Sequence, residues 1–249
     1  MAREWDAAVY DEVSLPHRRW GAEVAARLPL AGGETVLDAG CGTGRVTEAL
    51  LERLPRGTVV AVDASAEMLA LAERNLARFG RRVRLVRADL TEPLPVDAPV
   101  DAVFSTATFH WITDHERLFA NLAAILAPGG RLVAQCGGEG NIAGVLAALN
   151  RVRGEPDGTW RGKLFAGAQD TARRLRDAGF AEVRTWLEAD PVPLERGGPL
   201  ETYLATICLG GELELLPPAE RTGFAAAVAA ALDEPVVDYV RLNITARRG

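Results

Sequence analysis

The residues best suited to chemistry form a short glycine-rich turn behind an aspartate. Gly40, Gly42 and Gly44 stand at alternate positions, and Asp38 precedes the first of them by two residues. A bare backbone lets a ligand lie against a strand–helix turn, where a Cβ would collide. The dinucleotide fingerprint G-x-G-x-x-G needs glycine at position 45, where this chain has Arg45. The pattern therefore disfavours an NAD dehydrogenase, and Asp38 suits a cationic ligand group such as an ammonium.

Two further carboxylates follow predicted strands. Asp63 ends the second strand and can accept two hydrogen bonds from ribose hydroxyls, each contributing about 1.5–3 kcal/mol. Asp89 ends the third strand and can accept a hydrogen bond from an adenine amino group. Open α/β sheets bind ligands at the carboxyl ends of their strands, so we expect Asp38, Asp63 and Asp89 to line one edge.

The segment "FHWITDH" follows the fourth predicted strand and carries two histidines. His110 is expected to act as a general base or as a hydrogen-bond donor to a substrate, and a histidine buried under a loop is the structural alternative. Trp111 is expected at the pocket floor. His115 follows Asp114, a predicted N-cap, and is assigned no chemistry. The histidines are five positions apart without a third ligand nearby, so no metal site is predicted.

These residues require an α/β fold with a doubly wound, mostly parallel seven-stranded sheet and helices on both faces. Short apolar runs alternate with amphipathic segments, as in successive strand–helix units. The predicted strands cover residues 35–40, 58–63, 82–90, 100–108, 131–136, 180–188 and 236–248, and the predicted helices 45–54, 66–79, 114–127, 142–152, 171–179, 200–209 and 219–232. Residues 197–235 are predicted to form a helical cap insertion before the last strand.

Four segments carry a family resemblance: "VLDAGCGTG", "VVAVDASAEML", "VRLVRADL" and "LAPGGRLV". In order and spacing they resemble the class I, Rossmann-like S-adenosylmethionine-dependent methyltransferases. The resemblance implies S-adenosyl-L-methionine as cofactor and S-adenosyl-L-homocysteine as product. Residues 104–135 also resemble the trans-aconitate methyltransferase-like branch, which methylates small organic acids and related small molecules.

The resemblance also implies a set of cofactor-binding residues. Residues 40–44 are expected around the methionine and ribose, and Asp89 with Leu90 at the adenine edge. Met68 is expected near the adenine, with a place in the core as the alternative. Cys41 is expected to fill space in the loop rather than to act as a nucleophile. Residues 1–30 would form a helical lid containing Tyr10 and Trp20, for which helix packing on the sheet is the alternative, and residues 31–249 the cofactor-binding domain. The expected cofactor-binding residues are Asp38, Gly40, Cys41, Gly42, Thr43, Gly44, Asp63, Ala64, Met68, Asp89, Leu90, Ser105, Tyr10 and Trp20.

The expected reaction is methyl transfer to a small-molecule acceptor, with O-methylation of a carboxylate or hydroxyl preferred. C- or N-methylation of a natural-product-like acceptor and a non-catalytic cofactor-binding protein are the alternatives. His110, Trp111 and Tyr203 are the expected acceptor residues, with Phe165 and Trp160 as weaker pocket candidates. The aromatic and apolar content of the pocket segments favours a small, partly hydrophobic acceptor, and a carboxylate anchored by Arg161, Arg196 or Arg221 is the equal alternative.

Composition restricts the partners and the location. A net charge of −6 and a pI near 5.3 disfavour a nucleic-acid partner. The absence of an Asn-Pro-Pro-Tyr-like motif after the fourth strand also disfavours a nucleic-acid methyltransferase. Three widely spaced cysteines suggest neither a disulfide framework nor a metal site. No run of about 18 apolar residues and no apolar leader is present. We therefore expect a cytoplasmic monomer or homodimer without membrane contact.

Overall fold

The computed structural model describes residues 15–96, 99–155 and 162–249. Its strands are β1 (Thr35–Ala39), β2 (Thr58–Asp63), β3 (Val83–Arg87), β4 (Val100–Thr106), β5 (Leu126–Gly137), β6 (Phe180–Ala189), β7 (Val192–Pro193), β8 (Val236–Val237) and β9 (Val240–Arg248). Its α-helices are α1 (Leu15–Ala26), α2 (Arg45–Arg53), α3 (Ala66–Leu76), α4 (His115–Ile125), α5 (Ala143–Arg153), α6 (Ala168–Asp177), α7 (Gly198–Tyr203), α8 (Gly210–Glu214) and α9 (Pro218–Ala230).

The main sheet has seven strands in the order β3-β2-β1-β4-β5-β9-β6. The first five run parallel, and β9 pairs antiparallel with both β5 and β6. The strand order changes direction beside β1, which places the ends of β1 and β4 at a switch point where open sheets bind ligands. The predicted doubly wound, mostly parallel sheet is confirmed.

The two faces of the sheet are buried by different residues of the same strands. Val36 of β1 belongs to a cluster with Leu50 of α2, whereas Leu37 belongs to a cluster with Leu118 of α4. Successive side chains of a strand point to opposite faces, so one short apolar strand serves both layers. This arrangement fixes the strand ends rigidly, because both faces are packed.

Two helix starts follow the sequence as expected. The Ser65 hydroxyl accepts a hydrogen bond from the Met68 amide at the start of α3, and the Asp114 carboxylate accepts one from the Arg117 amide at the start of α4. Each side chain satisfies a backbone N–H that has no partner within the helix. The predicted N-cap Asp114 is confirmed, and both caps hold the loops that precede them beside the strand ends.

Several boundaries differ from the predicted ones. The third strand ends at Arg87 rather than at residue 90, and α3 ends at Leu76, after which a 3-10 segment continues to Arg82. The predicted turn at residues 128–130 lies inside β5, where the pairing with β4 jumps from Leu126 to Arg131. Residues 204–208 form a π-helical turn rather than a continuous α-helix. The predicted last strand is split into β8 and β9.

Residues 197–235 are helical, as predicted, and lie between β7 and β8. The helices α7 and α9 pack with α5 in an apolar cluster that also contains Trp20. The roles of this segment as a cap and of residues 1–30 as a lid remain predictions. Residues 1–14, with Tyr10, lie outside the described residues, and α1 packs against α2 and the strands β4 and β5.

Candidate active site

A cavity of about 740 Å³ opens at the carboxyl ends of β1, β2 and β4. Its size is typical of a site for a small ligand or cofactor. The turn after β1, the end of β2 and the loops after β3 and β4 form one side. Residues from 162–165, 207–214 and 239–241 form the other side. Segments far apart in sequence therefore meet around one space.

The glycine-rich turn lies at the wall of this cavity with its backbone exposed to it. Gly40 and Gly42 line the cavity and have positive φ angles of 84° and 53°. A Cβ at Gly40 would lie 2.1 Å from the Thr108 hydroxyl oxygen, so the protein itself fills that space. A Cβ at Gly42 would meet no protein atom within 4 Å. Gly42 therefore leaves room for a ligand to approach the backbone.

Asp63 is fixed at the end of β2 by the turn it faces. Its Oδ2 accepts a hydrogen bond from the Gly42 amide and its Oδ1 one from the Ser65 amide, each at 2.9 Å. A carboxylate offers about four lone-pair sites, so two backbone donors leave acceptor capacity. Asp63 lines the cavity, and its carboxylate has a fixed orientation toward a ligand there.

The loop after β3 adds a polar and an apolar group to the same wall. Asp89 Oδ1 accepts hydrogen bonds from the Thr91 amide at 2.9 Å and the Thr91 hydroxyl at 2.8 Å. Leu90 and Met68 are nearly buried, yet both border the cavity, as does Ala64. An aspartate beside two apolar side chains is suited to a flat heterocycle with a polar edge.

His110 lies in the 3-10 turn after β4 and borders the cavity. Its Nδ1 accepts a hydrogen bond from the Gly137 amide at 3.3 Å, and its ring stacks on Phe165 with centroids 5.8 Å apart. Because Nδ1 is the acceptor in this bond, the proton of the neutral ring is on Nε2. His110 is therefore presented as a donor through Nε2. Trp111, its neighbour, also borders the cavity.

Cationic side chains border the part of the cavity nearest β9. Arg241 lines it although only 3% of this residue is exposed, and Lys163 lines it from the loop before α6. The Lys163 ammonium lies 4.0 Å from the centre of the Trp111 ring, within cation–π distance. Tyr239 lines the same region. One cavity thus joins a wall that carries Asp63 and Asp89 to a second, cationic wall that carries Lys163 and Arg241 together with Glu214.

Comparison with known proteins shows the family of this chain. A family model described as a methyltransferase domain matches residues 36–130. The trans-aconitate 2-methyltransferase of Methylobacterium nodulans is 37% identical over 187 residues, which cover 75% of this chain and 68% of that protein. The one from Azoarcus sp. strain BH72 is 31% identical over 237 residues, covering 92% and 89%. The chain belongs to the class I S-adenosylmethionine-dependent methyltransferases, in the trans-aconitate methyltransferase branch.

Solved structures agree with this methyltransferase on the fold. YcgJ of Bacillus subtilis has a TM-score of 0.68 at 17% identity, covering 93% of this chain and 99% of that one. The phosphoethanolamine N-methyltransferase 2 of Haemonchus contortus, in complex with S-adenosyl-L-methionine, has a TM-score of 0.63 at 18% identity, covering 97% and 56%. Membership of this family, which the sequence matches show, means that the enzyme uses S-adenosylmethionine and methylates a small-molecule acceptor.

Asp38 does not face the cavity of this methyltransferase, contrary to the expectation of a direct contact with a cationic group. Its side chain is 2% exposed and lies behind the turn, where Oδ2 accepts a hydrogen bond from the Thr47 hydroxyl. Burial raises the pKa of Asp38 to about 7, the Thr47 hydrogen bond opposes this, and the nearby Asp63 adds to it. In this structure Asp38 lies against the start of α2, and its contact with the cofactor remains a prediction.

Four other expected cofactor residues do not line the cavity and support the turn from behind. The Ser105 hydroxyl donates to the Ala39 carbonyl at 2.6 Å, tying β4 to β1. The Thr43 carbonyl accepts from Asn75 at 2.9 Å, and a Cβ at Gly44 would lie 2.8 Å from Leu76. Burial, followed by the charges of Asp38 and Asp63, raises the pKa of the Cys41 thiol, which makes it a poor nucleophile.

Tyr203 and Trp20 lie behind the cavity wall rather than in it. The Tyr203 hydroxyl lies 2.9 Å from that of Tyr239, and it is Tyr239 that borders the cavity. Trp20 packs edge-on against Tyr239 with centroids 4.9 Å apart, and its indole N–H donates to Asp190. Both expected contacts are therefore indirect in this structure.

The expected arginine anchors are engaged elsewhere or lie outside the described residues. Arg196 donates to the Asp233 carbonyl at 2.7 Å and Arg221 to the Leu216 carbonyl at 3.1 Å, and neither borders the cavity. Arg161 and Trp160 are not among the described residues, whereas Phe165 does border the cavity. His115 binds the Phe109 carbonyl through Nε2 at 2.9 Å, and burial lowers its pKa.

Sequence reasoning missed Arg241, Tyr239 and Lys163 as cavity residues. Lys163 is the only lysine of the chain, which was a weak signal. Arg241 and Asn243 are polar residues that alternate with the apolar residues Val240, Leu242 and Ile244 of the last strand, and this was the clearer signal. Among the described residues, no cluster of three or more His, Cys, Asp or Glu is arranged to hold a metal ion. No helix in that part of the chain is long and apolar enough to cross a membrane.

Proposed function

We propose that this enzyme transfers the methyl group to a carboxylate oxygen of a small organic acid. The observation that carries the proposal is that Lys163 and Arg241 line the same cavity as the glycine-rich turn and Asp63. Two cations at a site for a small ligand favour an anionic acceptor, since opposite charges attract strongly where water is partly excluded. Asp63 and Asp89 on the opposite wall would repel that acceptor, so it would bind away from the part of the cavity that holds the cofactor.

The residues that line the cavity fit the cofactor. The bare backbone at Gly42 gives room against the turn, and the fixed carboxylate of Asp63 can accept hydrogen bonds from ribose hydroxyls. The apolar side chains of Met68 and Leu90 suit the adenine ring, and Asp89 lies where it can accept from an exocyclic amine. These assignments rest on the chemistry of the cavity wall.

The bound cofactor supplies an electrophilic methyl group on a positively charged sulfur. A carboxylate acceptor is already ionised at neutral pH, so the chain does not need to supply a general base. The tautomer of His110 set by the Gly137 amide agrees with this, because Nε2 donates a hydrogen bond rather than accepting a proton. The task of His110, Lys163 and Arg241 is to hold the acceptor in line, and orientation alone can supply about 7–11 kcal/mol.

The names of the relatives support one particular acceptor as the first to test. Two of them carry the name trans-aconitate 2-methyltransferase, and each matches this chain at more than 30% identity. Trans-aconitate bears several carboxylates, which agrees with a wall that presents more than one cation. We therefore propose trans-aconitate, or a small acid of similar charge, as the acceptor.

The test is methyl transfer from isotope-labelled cofactor to trans-aconitate, a phenol and an amine, with equal amounts of purified enzyme. We expect label on the acid as a methyl ester, which mild alkali releases as methanol. Label that resists alkali would indicate C- or N-methylation and would overturn the proposal. Cofactor binding without transfer to any acceptor of the panel would instead favour a non-catalytic binding protein.

A matched variant links this activity to the cavity. Lys163→Met removes the ammonium and keeps an unbranched apolar side chain against Trp111. We expect the KM for the acid to rise while the affinity for S-adenosylhomocysteine stays unchanged, because Lys163 lies away from the turn and Asp63. An equal effect on both ligands would assign Lys163 to the fold rather than to acceptor binding.

A further inference from the structure

We propose that Arg241 is the group that selects a carboxylate-bearing acceptor, and that Gln135 and Asn243 are positioning residues that fix its guanidinium. The proposal rests on the proposed function, since it concerns the cationic wall of the same cavity. Arg241 alone is assigned the selection of the acceptor. Gln135 and Asn243, which are buried behind Arg241, are assigned the positioning of its guanidinium.

Arg241 lies where an acceptor would meet the sheet. It pairs across the antiparallel β5–β9 ladder with Gly137, whose amide donates to His110 Nδ1. Arg241 and His110 are therefore linked by one backbone residue at the carboxyl end of β5. Both side chains border the same cavity.

The guanidinium is held on a flat surface. Its central carbon lies 4.3 Å from the centre of the Trp20 ring and 6.0 Å from that of Tyr239. An arginine stacked on an aromatic ring keeps its N–H groups in the plane, where they can bind a carboxylate with two parallel hydrogen bonds. Lys163 lacks this geometry because an ammonium is a point charge on a flexible stem. Arg241 is therefore the better residue for discrimination by shape.

Gln135 holds the guanidinium from below. Arg241 Nε donates to Gln135 Oε1 at 3.4 Å, and Gln135 Nε2 donates to Asn243 Oδ1 at 2.9 Å. The second bond fixes which end of the Gln135 amide faces Arg241. Gln135 and Asn243 are directly opposite each other in the β5–β9 register and are 3% and 0% exposed. The orientation of Arg241 is thus set inside the sheet.

Asn243 is in turn fixed from several sides. Arg27, just after α1, donates to its Oδ1, and its Nδ2 donates to the Arg241 carbonyl at 3.3 Å and to Glu188 Oε2 at 3.4 Å. Burial of so many polar groups is unfavourable unless each is hydrogen-bonded, and apolar residues would fill the same space more simply. A polar chain that ends at a cavity-lining arginine indicates that its geometry serves ligand binding.

Two acidic residues near this arginine, Asp190 and Glu188, accept hydrogen bonds from other residues. Asp190 accepts from Arg19 and from the Trp20 indole, and Glu188 accepts from Asn243 and lies 4.0 Å from Arg27. These bonds keep both carboxylates on the α1 side of the strands. They hold the Trp20 ring in place, and Trp20 is therefore expected to act on the acceptor through Arg241 rather than as a lid on the cofactor.

The test is calorimetric titration of trans-aconitate into the enzyme saturated with S-adenosylhomocysteine. For Arg241→Met we expect at least about tenfold weaker binding, which corresponds to the loss of a charge-assisted hydrogen bond. For Gln135→Met we expect about three- to tenfold weaker binding. Arg247→Met is the matched control, because Arg247 lies on β9 at the opposite end and pairs with the exposed Glu182.

Two further measurements separate positioning from folding. The affinity for S-adenosylhomocysteine should stay unchanged in every variant, which shows that the fold is intact. The double variant of Gln135→Met and Arg241→Met should bind trans-aconitate no more weakly than Arg241→Met alone, because Gln135 acts through the arginine. Additive effects would overturn the positioning role.

The remaining outcomes distinguish this inference from the proposed function. Wild-type affinity for trans-aconitate in Arg241→Met would overturn the inference and leave the proposed function in place. Wild-type enzyme that binds no trans-aconitate would overturn the proposed function, and the inference with it. Arg241→Lys serves as a second variant: it keeps the charge but loses the planar fork, so binding close to that of Arg241→Met supports selection by geometry, and wild-type binding contradicts it.

Discussion

The Thr47 hydroxyl donates a hydrogen bond to the Asp38 carboxylate at 2.6 Å, and both residues are buried behind the glycine-rich turn. This bond joins the end of β1 to the first turns of α2. Because burial outweighs this hydrogen bond, the pKa of Asp38 is raised to about 7. The turn is thus supported by a carboxyl group that is partly protonated near neutral pH.

The first prediction concerns stability against pH in Asp38→Asn. Below the ordinary pKa of aspartate the carboxyl group is protonated in both the folded and the unfolded chain. Between that value and about 7 only the folded chain keeps the proton, so the wild type should lose stability as pH rises through this window. Above about 7 both forms are ionised and the loss stays constant.

The measurement is urea unfolding of wild type and Asp38→Asn across this pH range. Since the asparagine oxygen can still accept from Thr47, the variant should lack this part of the pH dependence. The difference between the two free energies of unfolding should therefore change between acid and neutral pH and then level off. A constant difference across the whole range would show that the Asp38 pKa is not raised.

The second prediction concerns Asp63, which accepts hydrogen bonds from the Gly42 and Ser65 amides. Asp63→Asn removes the charge and turns one donor-facing oxygen into an NH₂ group. We expect the affinity for S-adenosylhomocysteine to fall at least about tenfold, because charge-assisted hydrogen bonds are lost. Calorimetry measures the change directly.

The control for Asp63 is Asp101→Asn. Asp101 also accepts a backbone hydrogen bond, from the Thr35 amide at 2.8 Å, but it lies at the amino end of β1. The Asp101→Asn enzyme should lose some stability and keep its affinity for S-adenosylhomocysteine. If the two variants bind S-adenosylhomocysteine equally well, Asp63 is not a cofactor residue.

The third prediction compares two glycines of the turn. Alanine at either site adopts a positive φ, with a strain of about 1–2 kcal/mol. At Gly44 the new Cβ also meets Leu76, so Gly44→Ala should mainly lower the melting temperature. At Gly42 the Cβ meets no protein atom but enters the cavity wall, so Gly42→Ala should mainly weaken S-adenosylhomocysteine binding.

Gly154→Ala is the control that introduces only the backbone strain of alanine at a positive φ. Gly154 ends α5 with a φ of 68°, and a Cβ there has no neighbour within 4 Å. Its effect on the melting temperature is the baseline for the two variants of the turn. A Gly42→Ala enzyme with full affinity and the same stability loss as Gly154→Ala would show that no ligand lies against Gly42.

The sheet and the cofactor half of the cavity follow from local sequence patterns. Strand ends are set by short-range periodicity, and Asp63 and Asp89 are placed by the strands they follow. The side chain of Asp38 points away from the cavity, and the alternation of residues along β1 predicts this direction. Val36 and Asp38 share a face, and that face packs against α2.

The acceptor half could not be predicted, since it combines residues distant in sequence. Tyr203 of α7 and Tyr239, which lies between β8 and β9, form one hydrogen-bonded pair, and only Tyr239 borders the cavity. Arg241 reaches the cavity because β9 runs antiparallel between β5 and β6, a pairing that periodicity does not reveal.

The last prediction tests how His110 acts, through two substitutions that differ in one hydrogen bond. His110→Ala removes both the acceptor of the Gly137 amide and the Nε2 donor, whereas in His110→Asn the side-chain oxygen can still accept from Gly137. If the ring only supports the loop, asparagine should restore the rate. Since we assign the donor role to Nε2, both variants should slow single-turnover methyl transfer roughly tenfold or more, with unchanged affinity for S-adenosylhomocysteine. A wild-type rate in His110→Asn would reduce His110 to a structural residue.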